Sequence, residues 1–349
     1  MTIAWSEPIR SATTRTGLAG NAAVSTTAIS PATARAIDFV ASHLARAEAL
    51  GTRMARHTHD PDAVATTLRR GLVALGDREY LAGQRLVAPG IGALHGVRSP
   101  LLNMVARSFR LAVMGTSTDQ LLLVADRLLR EEHQEPHWLA IGILERLVRT
   151  DPERAWQLIR RAARGAGEWI TIDTLAHAAG NGILNEPYRW AELEQLAYSP
   201  SRWERRLIGS TIATIPFVNH RRGPGGGRDA AVVEHAIPLL AQLIGDAEPD
   251  VQKALSWAYR SLLRVDTAAV EAALAGEAAI AAKTDDGQRA WVIRDVLSKL
   301  RPEAADPLRA NLAGIRRRAH APSTSRAATT AAAFGALPDP VAHPEPPLF

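Results

Sequence analysis

Residues 249–264 read PDVQKALSWAYRSLLR, and the placement of their apolar residues decides the fold. At about 100° per residue, Val251, Leu255, Ala258 and Leu262 fall on one side of a helix, while Lys253, Trp257, Arg260 and Arg264 fall on the opposite side. The spacing predicts a helix that buries one stripe and presents the other. A tryptophan stands on the presented stripe among three cations, which is not where packing alone would put it.

The same period continues outward from this segment. Residues 101–114, 119–130, 138–149, 152–164, 169–180, 203–214, 230–244 and 287–300 all place apolar side chains three and four apart, separated by short Gly, Pro, Asp or Ser breaks. No stretch alternates with period two. SRWERRLIGSTIAT, PDVQKALSWAYRSLL and DDGQRAWVIRDVLSKL open alike, each with a polar turn and a basic residue (Arg206, Lys253, Arg289) just ahead of an apolar run. Loose recurrence of this kind predicts an all-α chain of HEAT-like helix pairs stacked into a curved solenoid, whose concave face suits a long ligand.

Composition bounds the chemistry. The 349 residues contain no cysteine, so there is no disulfide framework, no thiolate nucleophile and no Cys-ligated metal. Apolar residues make up 46%, enough for a sizeable core, yet no run approaches the roughly 18 uninterrupted apolar residues of a membrane span. The net charge of +5 invites a nucleic-acid reading. Much of that excess lies at the two ends, so the argument must rest on where particular cations sit. The ends themselves, 1–33 (Ser/Thr/Ala-rich) and 316–349 (running from Arg316-Arg317-Arg318 into a Pro-rich tail), read as disordered extensions of a helical domain over 34–315.

Two further helices carry residues off their apolar stripes. Ile172, Leu175 and Ala179 mark one face of the helix from Trp169, whereas Trp169 and Asp173 project together from another. On the next, Arg202, Arg206, Gly209 and Ala213 share a face, two guanidiniums above a shelf of small residues that a phosphate backbone could follow. A boundary tryptophan, a solvated acid and a solvated basic face are the bland alternatives. NHRRGPGGGR at 219–228 lacks the closing Lys-Ser/Thr of a phosphate-binding loop, and His57 and His59 lack metal-site partners. Trp138, Trp156 and Trp291 read as packing residues.

Taken together and in order, W169-I-T-I-D173, W203-E-R-R206 and Q252-K-A-L-S-W257-A-Y-R260 resemble the AlkD-type DNA alkylpurine glycosylases, with softer similarity over about 70–300. The resemblance implies that Trp169, Asp173 and Trp257 are catalytic and that Arg206 and Arg260 contact DNA. Lys253, Arg202 and Arg264 join them on the face read from the helices, with acids expected elsewhere. The resemblance further implies an enzyme that removes cationic N3- and N7-alkylpurines from duplex DNA without drawing the base into a pocket; a monomer without cofactor, in the cytoplasm with the nucleoid, is the expectation for this chain. The family's N-terminal tyrosine has its counterpart in Tyr80 only if a short insertion precedes Gly96. Bulky purine adducts as substrates, and a non-catalytic scaffold that binds DNA or protein, stay open as alternatives.

Overall fold

The period-3.6 pattern becomes sixteen helices among the residues described by a computed structural model, which are 30–220, 229–335 and 347–348. In chain order they are α1 (Pro31–Ala55), α2 (Pro61–Leu75), α3 (Arg78–Val87), α4 (Ser99–Ala112), α5 (Thr118–Leu128), α6 (Gln134–Leu147), α7 (Pro152–Arg164) and α8 (Trp169–Asn185). There follow α9 (Arg189–Gln195), α10 (Arg202–His220), α11 (Ala230–Leu243), α12 (Pro249–Leu262), α13 (Thr267–Thr284), α14 (Gly287–Val296), α15 (Pro302–Asn311) and α16 (Arg326–Ala332). Only isolated bridges, Gly76 with Val97 and Ala93 with His133, pair extended backbone among the described residues. The fold is all-α, as the periodicity requires.

The helices form two rows. In one, α4, α6, α8, α10, α12 and α14 pack successively, with α1 against α4; in the other, α5, α7 and α13 cover α6, α8 and α14. Each helix of these rows therefore buries an apolar stripe between its neighbours, whereas α3 buries no residue; such stacking is how helix pairs gain stability that one pair lacks. On α12 the stripe is the one the sequence marks: Val251, Leu255, Ala258 and Leu262 are fully buried. Burial of each leucine contributes about 1.5–3 kcal/mol. No described helix is long and apolar enough to cross a membrane.

Close helix approach corrects one expectation. A Cβ on Gly209 would stand 2.7 Å from the backbone of Ala254, and Ala213 is fully buried. The supposed shelf of small residues on α10 is thus its contact with α12, where small side chains let two backbones approach. It is not a surface for phosphate.

The described parts of the chain ends also differ from their compositional reading. Residues 1–29 and the Gly-rich insertion 223–227 lie outside the described residues, and α1 begins at Pro31, capped by Ser30, whose hydroxyl accepts from Thr33 N at 3.2 Å. At the other end the ordered chain does not stop near 315. Residues 316–335 continue across the stacked helices: Ser325 and Ala327 are fully buried, and α16 packs on α11 and the turn Leu196–Tyr198. Ser, Thr and Ala conceal this from a hydropathy reading because the segment is held by hydrogen bonds and small-residue packing. Most of the Pro-rich end, 336–346 and 349, lies outside the described residues.

Candidate active site

The site begins with the register of α8. Glu168 caps that helix, its carboxylate accepting from the backbone N–H of Ile170 and of Thr171, the latter at 2.8 Å. That cap fixes where α8 starts and hence which face Trp169 and Asp173 share, one turn apart. Glu168 is only 2% exposed, and burial above all, with the nearby Asp173 charge adding to it, pushes its carboxyl above the usual carboxylate range.

Asp173 is held from α10 by three donors. Arg206 Nε donates to one carboxylate oxygen at 3.1 Å and Nη2 to the other at 2.9 Å, a bidentate pair. Ser210, one turn along α10, donates its hydroxyl at 2.6 Å. The remaining Arg206 nitrogen, Nη1, donates at 2.6 Å to the carbonyl of Asp250 in the first turn of α12. One guanidinium therefore ties α8, α10 and α12, neighbours in one row, together. Its side chain is 5% exposed and that of Asp173 is 15% exposed, so a carboxylate edge stays open while the arginine is enclosed.

This geometry corrects the role expected of Arg206. A rim residue reaching for DNA phosphate would be exposed, and its stripe on α10 faces α12 instead. The expected separation of cations from acids also fails in detail. Arg260 pairs with Asp295 and accompanies it with a bond to Ser256 Oγ at 3.2 Å, and Arg202 lies 3.6 Å from Glu248. Lys253 and Arg264 are exposed, Lys253 without an ion-pair partner among the described residues, and Arg264 rests its guanidinium over Phe217 at 5.1 Å. Arg202 lies over Trp203 at 4.8 Å.

The three aromatic candidates are divided. Trp169 is half-buried and lines a cleft of about 700 Å³ with Tyr80, Gln84, Ser99, Arg98 and Trp138. Trp138 is buried, as a packing residue should be, but its indole N–H reaches Thr171 at 3.0 Å and one edge borders the cleft. Trp257 is half-buried on α12 and is not among the residues lining that cleft. Tyr80, whose place the sequence left open, is brought onto the Trp169 side. Its hydroxyl lies 3.0 Å from Ser99 Oγ and bonds Gln84, and Arg98 stands 5.2 Å above its ring, anchored by Asp77 at 2.7 Å.

Sequence reading missed Ser210 and the Asp250 carbonyl. The first had a signal, since it stands four residues after Arg206 and so projects over the same patch; a main-chain acceptor leaves none. Among the described residues no cluster of His and acidic side chains could hold a metal ion. What the arrangement can do is present a fixed carboxylate on the same helix face as Trp169, whose indole lines the cleft, with exposed cations at Lys253 and Arg264 on and just after the neighbouring α12.

A family profile described as DNA alkylation repair enzyme matches residues 68–295, a span that contains Tyr80, Trp169, Asp173, Arg206, Trp257 and Arg260. No curated protein and no solved structure matches the chain.

Proposed function

The chain belongs to the DNA alkylation repair enzymes, and on that premise we propose that it is a monofunctional DNA glycosylase, acting as a monomer on cationic N3- and N7-alkylated purines in duplex DNA. The observation that carries this reading is the Asp173 carboxylate, oriented by Arg206 and Ser210, still partly exposed, and one helical turn from Trp169 on α8. An N-alkylated purine already bears positive charge and leaves without a general acid. As its bond to C1′ lengthens, the deoxyribose becomes oxocarbenium-like, and a preorganised carboxylate stabilises that charge and orients the attacking water. The electron-rich rings of Trp169 and Trp257 favour the same cation. This chemistry asks for no cofactor.

DNA is held by phosphate contacts from Lys253, Arg264, Arg202 and Arg260. The Arg260–Asp295 and Arg202–Glu248 pairs are partly exposed, and exchanging such a carboxylate for phosphate costs only about 0–1 kcal/mol. Exposed Lys253 lacks the burial that makes an amine a Schiff-base nucleophile, which favours hydrolysis without strand cleavage.

One observation favours a second reading, excision of bulky purine adducts: the cleft beside Trp169 has room for the body of a large substituent, with aromatic rings of Tyr80, Trp138 and Trp169 and polar groups of Gln84, Ser99 and Arg98 in its lining. Incubation with duplexes carrying 3-methyladenine, 7-methylguanine or a bulky N3 adduct tests both. Free alkylated base with an intact abasic strand supports a glycosylase, and preference for the bulky lesion supports the second reading. Absence of released base from all three would overturn both.

A further inference from the structure

Residues 316–335 lie beyond the span that matches the family, and they are built into the molecule. Gly245 O accepts from Thr324 N at 2.8 Å and from Ser325 N at 3.1 Å, Ser323 Oγ accepts from Ala247 N at 2.9 Å, and Thr324 bonds Asp286. The solenoid leaves room for this backbone at two glycines. A Cβ on Gly245 would meet Thr324 Oγ1 at 2.2 Å, and one on Gly287 would meet Arg316 O at 2.2 Å.

The segment converges on one side chain of α12. Arg317 Nη1 donates to Gln252 Oε1 at 2.8 Å, and its guanidinium lies 5.6 Å from the Trp291 ring centre. Gln252, fully buried, spends its amide N–H groups on Asp246 O at 2.6 Å and Gln288 Oε1 at 2.8 Å; Gln288 in turn donates to Ala321 O at 3.0 Å. Gln252 and Gln288 are buried and Arg317 is exposed, so the arginine closes from the surface a network whose satisfied inner amides fix geometry. Gln252 stands two residues after Asp250, whose carbonyl receives Arg206, and Lys253 follows it directly. The first turn of α12 is thus gripped from one side by the pair on Asp173 and from the other by the C-terminal segment.

We infer that residues 316–335 brace the catalytic centre, Arg317 acting through Gln252 and the first turn of α12 as a positioning residue for the Arg206–Asp173 pair. The inference rests on the glycosylase reading for its consequence in catalysis, and on geometry alone for the brace itself. In the full-length chain, Arg317→Ala removes the donor to Gln252, Arg317→Lys restores one, and Gly245→Ala pushes the segment away from the solenoid side.

Hydrogen exchange of the amides at 250–254 and the carboxyl carbon resonance of Asp173 report the brace without requiring activity. Both should change in Arg317→Ala, return towards the wild-type values in Arg317→Lys, and change further in Gly245→Ala. Single-turnover release of 7-methylguanine should fall about tenfold in Arg317→Ala, with DNA affinity within about twofold of wild type. Unchanged exchange and an unmoved Asp173 resonance in Arg317→Ala would overturn the brace, as would full-rate base release from a variant whose α12 turn has opened. If the wild-type chain releases no base, the glycosylase reading fails while exchange and resonance still decide the brace.

Discussion

Asp173 on α8 and Lys253 on α12 are two charges that the sequence places off the core, and the fold treats them in opposite ways. Asp173 receives three hydrogen bonds and is half-buried with one edge open; Lys253 is exposed, with no ion-pair partner among the described residues. On the proposed reading the difference separates two tasks. A carboxylate that must meet a developing cation gains from being fixed beforehand, because no reorganisation is then needed at the moment of reaction. A cation that follows a flexible, hydrated phosphate backbone gains from mobility and gives up nothing in packing. Neutralisation by Arg206 also answers how an acid persists on a face proposed to bind DNA.

Breaking the fixed side should cost most. Arg206→Ala leaves the largely buried Asp173 without its guanidinium, and the loss of one partner of such a pair should lower unfolding stability by about 3–5 kcal/mol. Removing Asp173 as well should recover part of the loss, since no unpaired charge then remains; equal losses in the single and double variants, measured by denaturant titration, would contradict the pairing energetics. Ser210→Ala deletes a hydroxyl bond to a charged acceptor worth about 1.5–3 kcal/mol. Base release should fall by at least roughly tenfold, with Ser210→Thr closer to wild type, if that third bond orients the carboxylate.

On the exposed side the effect should move from stability to binding. Lys253→Gln and Arg264→Gln should each leave stability within about 0.5 kcal/mol and flatten the slope of log affinity against log salt by roughly 0.9. Equal slopes in wild type and both variants would remove the proposed DNA face from α12. The smallest effect concerns Glu168, a buried carboxyl on the same helix as Asp173 but without its guanidinium. Its raised pKa means that the folded state keeps a proton the unfolded state has lost, so this group's contribution makes stability decline as pH rises above its ordinary value of 4.5. Glu168→Gln should show a shallower decline over that window.

Legibility in the sequence followed how each face is buried. On α12 the contrast between aliphatic and charged residues is sharp, and both stripes fall where the periodicity puts them. On α10 the stripe of Arg206, Gly209 and Ala213 reads equally as an open shelf and as a close helix contact, because small residues serve either. The same ambiguity hid the C-terminal segment, whose Ser, Thr and Ala residues pack without any apolar period. It also alters the argument from Asp173: its ion pair with Arg206 gives that acid a structural use, so its presence alone does not separate enzyme from scaffold, and membership among DNA alkylation repair enzymes carries that distinction instead. Tyr80 could be placed only by the fold, which brings α3 beside α8 across a cleft that no linear spacing reveals.

The central claim is that Asp173 acts on the transition state and not on the binding of DNA, and Asp173→Asn tests it at one atom. The substitution keeps the shape and removes the charge. Single-turnover release of 7-methylguanine from a duplex should fall by roughly 10²–10³-fold, the loss typical of one preorganised electrostatic group, while affinity for the same duplex stays level or rises. Release at the wild-type rate, or a loss explained wholly by weaker DNA binding, would contradict the account.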